Sequence, residues 1–349
     1  MILAGDVGGT NTRLALFKAG AAPLKPAVLD IYPSRNYASL GEALEAFIAK
    51  HRVGVASACL GVAGPVKDGR VEATNLPWEI DARGLSPSLS GAPVRLLNDL
   101  EANAWGLAEL AEKDFAVLNA GAAGREASSA GPHKENILRP SAPGAAGHQA
   151  LIAAGTGLGQ ALMIADETRL IPVATEGGHM DFAPRSDEEA ALLDFLRRKF
   201  GRVSYERVVS GPGLVNIYDF LRQVRKMHEP AWLAAEMKSE DPSAAISIAA
   251  LEGRAEICAR ALDIFVSVYG AQAGNLALSV LARGGVFLGG GIAPKILPKL
   301  REPAFMKAFL DKGRMRPVLE SIPVRVVLND HAALLGAARC ALAVPGVPR

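Results

Sequence analysis

The stretch Ile2-Leu3-Ala4-Gly5-Asp6-Val7-Gly8-Gly9-Thr10-Asn11-Thr12-Arg13-Leu14-Ala15-Leu16-Phe17 constrains this chain more than any other. An apolar run, a Gly-Gly turn flanked by Asp and Thr, and an alternating apolar run describe two strands joined by a tight turn. No Lys-Ser/Thr pair follows the glycines, so the turn is not a P-loop. No helix follows at once either, as a dinucleotide fingerprint requires. A turn without side chains still suits phosphate, because backbone N–H groups can approach an anion closely and form a nest. In that reading Thr10 and Asn11 donate to phosphate oxygens and Asp6 holds a magnesium ion through water. An ordinary Gly-Gly hairpin explains the same residues with no ligand at all.

The pattern returns at Ala150-Leu151-Ile152-Ala153-Ala154-Gly155-Thr156-Gly157-Leu158-Gly159-Gln160-Ala161-Leu162-Met163-Ile164. Two such units predict two similar halves gripping one polyphosphate. A third strand-then-glycine unit, Gly284-Gly285-Val286-Phe287-Leu288-Gly289-Gly290-Gly291-Ile292, offers a flat seat for adenosine or a plain strand-to-helix turn.

A length of 349 residues favours two domains, and an apolar half with 21% charged residues is a globular profile. The formal net charge of +2 argues against a nucleic-acid partner. Arg197-Arg198-Lys199, the densest basic cluster, reads as a helix C-terminus, where cations are favoured. Cys59, Cys258 and Cys340 are isolated in sequence, which suits a reducing cytoplasm and gives no metal framework. The N-terminus lacks a basic region and Asp6 interrupts its apolar run, so no signal peptide is expected. Residues 264–282 carry no charge, but Gln272, Asn275 and two glycines mark a core helix rather than a membrane span.

Helical spacing or caps predict helices over 40–50, 100–110, 186–200, 210–225, within 243–282 and from 331. The helix at 186 opens with the capping box Ser186-Asp187-Glu188-Glu189 and stops at Gly201. Strands are expected at 55–62, 94–97 and 323–328, with an Asp-Gly hairpin at 66–71. Residues 119–149, rich in Gly, Ala, Ser and Pro, read as a mobile surface loop.

Five residues carry chemistry beyond the turns. Asn98-Asp99 ends a strand, where open α/β sheets place ligands. Asp99 can accept a hydroxyl proton while Asn98 bonds a neighbouring hydroxyl, or either can simply cap the next helix. Glu176-Gly177-Gly178-His179 sets a carboxylate and an imidazole on a glycine loop, an arrangement suited to a polyol's vicinal hydroxyls. Metal ligation is the competing reading, but no Cys or second His sits at zinc-like spacing. Glu206, in Ser204-Tyr205-Glu206-Arg207, is a further hydroxyl acceptor or a solvated residue of a short helix.

Taken in order, these motifs resemble the bacterial glucokinases of the hexokinase/actin-like ATPase superfamily. The resemblance rests on Gly5-Asp6-Val7-Gly8-Gly9-Thr10-Asn11, Asn98-Asp99, Ala154-Gly155-Thr156-Gly157-Leu158-Gly159 and Glu176-Gly177-Gly178-His179-Met180-Asp181-Phe182-Ala183-Pro184. Glu206-Arg207-Val208-Val209-Ser210-Gly211-Pro212-Gly213-Leu214 and Gly289-Gly290-Gly291-Ile292 extend it, so that it spans residues 2 to about 340. It implies a two-domain, α/β, actin-like (ribonuclease H-like) fold with the active site in the interdomain cleft. The small domain would cover 1–109, joined by a C-terminal helix at about 331–349, and the large one 110–330.

The same resemblance implies that Asp99 is the catalytic base and that Asn98, Glu176, His179 and Glu206 hold the sugar. Asn75, in the polar loop Thr74-Asn75-Leu76-Pro77-Trp78, joins that set. Gly5, Asp6, Gly8, Gly9, Thr10, Asn11, Gly155, Thr156 and Gly157 would hold ATP phosphates, with Gly290 and Gly291 near the adenosine. Asp6 would hold Mg2+ through water. The expected reaction is ATP-dependent phosphorylation of glucose on its 6-hydroxyl, feeding glycolysis in a cytoplasmic homodimer that binds neither nucleic acid nor membrane. A kinase for another hexose or amino sugar, an ADP or polyphosphate donor, a non-catalytic sugar sensor and an actin-like structural ATPase share these signals. The cysteine-rich zinc motif of the related repressor/kinase group is missing, so no structural zinc is expected; the phosphate motif begins at once, so no helix-turn-helix is expected before it, and the 119–149 loop looks longer than the family pattern.

Overall fold

A computed structural model describes residues 1–20, 24–73, 76–122, 147–166 and 169–343. Its strands are β1 (Ile2–Val7), β2 (Asn11–Phe17), β3 (Pro26–Pro33), β4 (Ser57–Val62), β5 (Arg70–Glu72), β6 (Glu79–Asp81) and β7 (Val94–Asn98). There follow β8 (Phe115–Asn119), β9 (Gln149–Ala154), β10 (Leu158–Ala165), β11 (Leu170–Thr175), β12 (Gly285–Gly289) and β13 (Val324–Val327). The longer helices begin with α1 (Leu40–His51), α2 (Asp99–Gly106), α3 (Asp187–Phe200), α4 (Gly211–Gln223) and α5 (Ala231–Ser239). They end with α6 (Pro242–Leu251), α7 (Glu256–Val280), α8 (Pro303–Leu310) and α9 (Ala332–Leu342).

The chain divides into two compact units, one of Met1–Glu112, Pro172–Ala174 and Asn329–Arg349, the other of Lys113–Ile171 and Thr175–Leu328. Their sheets are wired alike. The first runs β3-β2-β1-β4-β7 and the second β11-β10-β9-β12-β13-β8. In each, a hairpin supplies the antiparallel side: β1 pairs β2, and β9 pairs β10. In each, the hairpin's first strand is also the parallel neighbour of a later one, β4 for β1 and β12 for β9. The sequence echo is therefore a topological one. Residues of β1, β4, β9 and β12 are almost all buried, as strands covered on both faces must be.

The last helix belongs to the first unit for a steric reason. A Cβ on Gly106 of α2 would stand 1.8 Å from Ala332 O, and one on Gly336 of α9 would stand 1.8 Å from Ala102 O. These glycines let the two backbones touch. The alanine-rich face of α9 then buries Leu334, Ala337 and Ala341, and Ser57 Oγ donates to Ala341 O at 2.9 Å. α9 also brings Cys340 beside Cys59 of β4, so two of the thiols isolated in sequence are neighbours in space. Both are buried, as is Cys258, and all three are free.

Several local expectations hold in detail. The Asp-Gly hairpin has both central residues at positive φ, Asp68 at 51° and Gly69 at 76°, the primed turn that matches strand twist. Ser186 Oγ accepts from Glu189 N, but the return bond of Glu189 goes to Arg185 N rather than to Ser186. Gly201, at φ 73°, stops α3. The uncharged stretch lies in α7, most of whose residues are buried, and among the described residues no helix is long and apolar enough to cross a membrane.

The loop expected over 119–149 lies largely outside the described residues, and its edges differ from expectation. Asn119 ends β8, which pairs antiparallel with β13, and Gln149 opens β9. The brevity of Phe115-Ala116-Val117-Leu118-Asn119 hides that strand from periodicity. The helices α5 and α8 lie outside the segments where the sequence predicts a helix.

Candidate functional site

In the first unit the β1–β2 turn is closed by Gly8 N donating to Asn11 O at 3.0 Å. Ser34 clamps it from outside the hairpin. Its N–H donates to Thr10 O at 2.9 Å, and its hydroxyl donates to Gly8 O at 2.7 Å and lies 3.0 Å from Thr12 Oγ1. The side chains of Thr10 and Asn11 are exposed at the tip, with Gly9 between Gly8 and Thr10. Gly5 sits elsewhere, buried inside β1, where a Cβ would meet Leu60 Cδ2 at 2.5 Å. Its missing side chain serves packing against β4.

Asp6 faces Arg13 across the hairpin at 3.8 Å, and Arg13 in turn grips Asp330 through both the backbone oxygen and Oδ2 at 2.8 Å. Burial pushes the Asp6 carboxyl above its ordinary value; Asp330 adds to the shift, and Arg13 and His331 oppose it. Arg13, Ser34 and Asp330 were not singled out in the sequence, and the last two lie far from the motif they support. Only the alternation placing Arg13 opposite Asp6 was readable in advance.

Asn98 is the N-cap of α2. Its Oδ1 accepts from Leu100 N at 2.9 Å and Glu101 N at 3.4 Å, and its Nδ2 donates to Gly64 O at 3.0 Å. That use leaves one amide hydrogen for a ligand. Asp99 is the first helical residue, where the positive end of the helix favours negative charge. Its Oδ1 accepts from Leu100 N at 2.9 Å. Gly61 of β4 lets the helix approach, since a Cβ there would stand 2.9 Å from Ala102 Cβ. Asn75 lies outside the described residues.

In the second unit the β9–β10 turn is closed by Gly155 N donating to Gly157 O at 2.9 Å, and Gly155 O accepts from Gly211 N at 2.8 Å. Thr156 is exposed at its tip. Glu206 braces the turn: Oε2 accepts from Leu158 N at 2.9 Å, and a Cβ on Gly157 would lie 2.5 Å from that oxygen. Its other oxygen stands 4.0 Å from His179 Nδ1, and His179 Nε2 stands 3.8 Å from Glu176 Oε2. Glu176, His179 and Glu206 are thus one cluster.

Two short helical turns make that convergence, 177–179 and 205–207. Tyr205 N donates to Met180 O at 2.9 Å, and Asp181 bridges Ser204 beside it. Gly178 rests on Leu158 O, which a Cβ would meet at 1.8 Å. Exposure grades the cluster, with Glu176 at 71%, His179 at 58% and Glu206 at 30%. Gly290, at φ 79°, lies against Ala154 at the end of β9, and Ile292 N donates to Ala154 O at 3.1 Å. The third glycine unit therefore adjoins the second turn.

Among the described residues no group of His, Cys, Asp and Glu could hold a metal by itself. Asp6 supplies a single carboxylate beside the first turn. That donor set fits a Mg2+ that arrives with phosphate oxygens and keeps its waters rather than an all-protein cage.

The glucokinase family model matches residues 3–344. The chain is similar to a glucokinase from Synechocystis sp. at 40% identity, covering 97% of each chain. It is similar to one from Nostoc sp. at 39%, covering 98% of each. Among solved structures, a glucokinase from an Antarctic psychrotroph superposes with a TM-score of 0.79 at 31% identity, over 97% of this chain and 98% of that one. A ROK-family glucokinase from Streptomyces griseus, in complex with glucose and AMPPNP, shares the fold at a TM-score of 0.61 and 20% identity, over 97% and 98%. The architecture is the actin-like two-domain ATPase fold.

Proposed function

The chain belongs to the glucokinase family, and from that premise we propose that it transfers the γ-phosphoryl group of ATP to the 6-hydroxyl of D-glucose. The observation that carries the reading is Glu206, with one oxygen on the backbone of a glycine turn and the other facing His179. A group that joins a phosphate-type turn to a set of hydroxyl acceptors is what a sugar kinase needs and a structural ATPase does not.

In the first unit, the Gly8-Gly9-Thr10-Asn11 turn donates to phosphate oxygens and Asp99 takes the proton of the attacking hydroxyl. Asn98 gives its remaining amide hydrogen to the sugar, and Asn75 joins it. In the second, Glu176, His179 and Glu206 hold sugar hydroxyls, Gly155, Thr156 and Gly157 face phosphate, and Gly290 and Gly291 seat the adenosine. Phosphoryl transfer depends chiefly on positioning and electrostatics, so backbone donors fixed by Ser34 and Glu206 matter as much as the base. A sugar hydroxyl is a weak nucleophile near neutral pH, and a positioned carboxylate base is worth about 10²–10⁴-fold. Mg2+, held through water by Asp6, would offset phosphate charge. The reading extends to a cytoplasmic homodimer acting at the entry to glycolysis. Its buried free thiols suit a reducing compartment.

The test is sugar-phosphate formation by the purified protein with Mg-ATP across glucose, mannose, fructose, glucosamine and N-acetylglucosamine. Turnover highest with glucose is expected. Turnover confined to another sugar would move the acceptor, and sugar binding without turnover would replace the kinase by a sensor.

A further inference from the structure

Gln160 lies on β10, three residues beyond Gly157 of the second turn, and is 1% exposed. Among the described residues neither Oε1 nor Nε2 has a hydrogen-bond partner. Buried polar side chains are paired as a rule, and one that is not carries a desolvation penalty and calls for a reason.

Its surroundings supply one. A Cβ on Gly177 would stand 2.3 Å from Gln160 Oε1 and 2.9 Å from its Cδ, so the amide is packed directly beneath the Glu176–His179 turn. Thr175 Oγ1 links the same parts, donating to Gln160 O at 3.1 Å and accepting from Gly177 N at 3.2 Å. The turn's N-cap, Glu176, makes no side-chain capping bond. The first backbone N–H groups of a helical turn need outside acceptors. Gly177 N is held by Thr175 Oγ1 and His179 N donates to Glu176 O at 3.0 Å, so Gly178 N is the donor this turn has to offer, beside carbonyl oxygens with a second lone pair. Among the described residues an amide without partners therefore lies against a turn that carries two sugar-binding candidates.

We propose that Gln160 is a positioning residue for Glu176 and His179. In the sugar-free protein its amide stays unpaired; when glucose draws the turn into place, the amide pairs with the turn's backbone. The burial penalty falls on the free state alone, so it shifts the population toward the sugar-engaged turn. This rests on the sugar-binding role given above to Glu176 and His179.

The experiment is Gln160→Met, which keeps the volume and removes both polar atoms. Tm with and without saturating glucose, KM for each substrate, and kcat are measured. The expected result is an unchanged or higher Tm without sugar, a smaller glucose-induced rise in Tm, and a KM for glucose raised about tenfold. kcat and KM for ATP should stay within about twofold. Amide hydrogen exchange at Gly177 and Gly178 gives a second readout, slowed by glucose in the wild type and less so in the variant. A lower Tm without sugar with an unchanged KM for glucose would make Gln160 a packing residue and overturn the proposal. An active wild type with unchanged KM in the variant sinks this inference alone. A wild type that neither turns over glucose nor is stabilised by it sinks the functional reading as well.

Discussion

The two glycine turns are built to the same strand plan and braced by opposite means. The β1–β2 turn is held by a neutral hydroxyl, Ser34, and flanked by the charged row Asp6, Arg13 and Asp330. The β9–β10 turn is held by a carboxylate, Glu206, that also faces the sugar candidates. In the first, the brace bonds Gly8, Thr10 and Thr12 and so shapes the turn. In the second, brace and proposed sugar ligand are the same side chain. One backbone motif can thus be specialised entirely by residues that arrive from elsewhere in the chain.

The comparison breaks most visibly at Glu206. Glu206→Ala removes the acceptor of Leu158 N and the proposed sugar ligand together, and a hydrogen bond to a charged group is worth ~1.5–3 kcal/mol. KM for glucose should rise about 10–150-fold and KM for ATP should rise with it. An ATP effect without a glucose effect would make Glu206 a brace only. Ser34→Ala comes next, removing neutral hydrogen bonds of about 0.5–1.5 kcal/mol each. KM for ATP should rise a few-fold with KM for glucose unchanged; equal effects on both substrates would erase the distinction between the turns.

The effect of Asp6→Asn on folding stability is small, and its sign is informative. Burial raises the Asp6 carboxyl above its ordinary value of 3.8. The folded state therefore binds this proton more tightly than the unfolded one. Ionised Asp6 costs stability at neutral pH, and the cost disappears as pH falls below 3.8. The variant should show a slightly higher Tm than wild type near pH 7 and none of that gain in acid. A lower Tm at neutral pH would mean that the Arg13 pair outweighs burial.

The turns, the two-fold repeat of the wiring and the helices with strong caps were legible because each is written in consecutive residues. Ser186 and Gly201 bound α3 by local rules that need no partner. What was not legible depends on long-range packing. Ser34 supports residues 8–12 from another element, and Asp330 reaches Arg13 across more than three hundred residues. The glycines at 106 and 336 read as weak helix positions until α2 and α9 are seen to cross there. Gly5 looked like part of the turn because it precedes it, whereas the strand register places it against Leu60. Asn98 resolves an ambiguity the sequence left open: it caps the helix and still keeps a hydrogen to give.

The central claim is phosphoryl transfer to glucose with Asp99 as base, and Asp99→Asn tests it most directly. Glucose affinity by calorimetry and kcat with Mg-ATP would be measured on wild type and variant side by side. The account predicts a kcat lower by about 10²–10⁴-fold with glucose affinity largely retained. Near-normal turnover in the variant would contradict it.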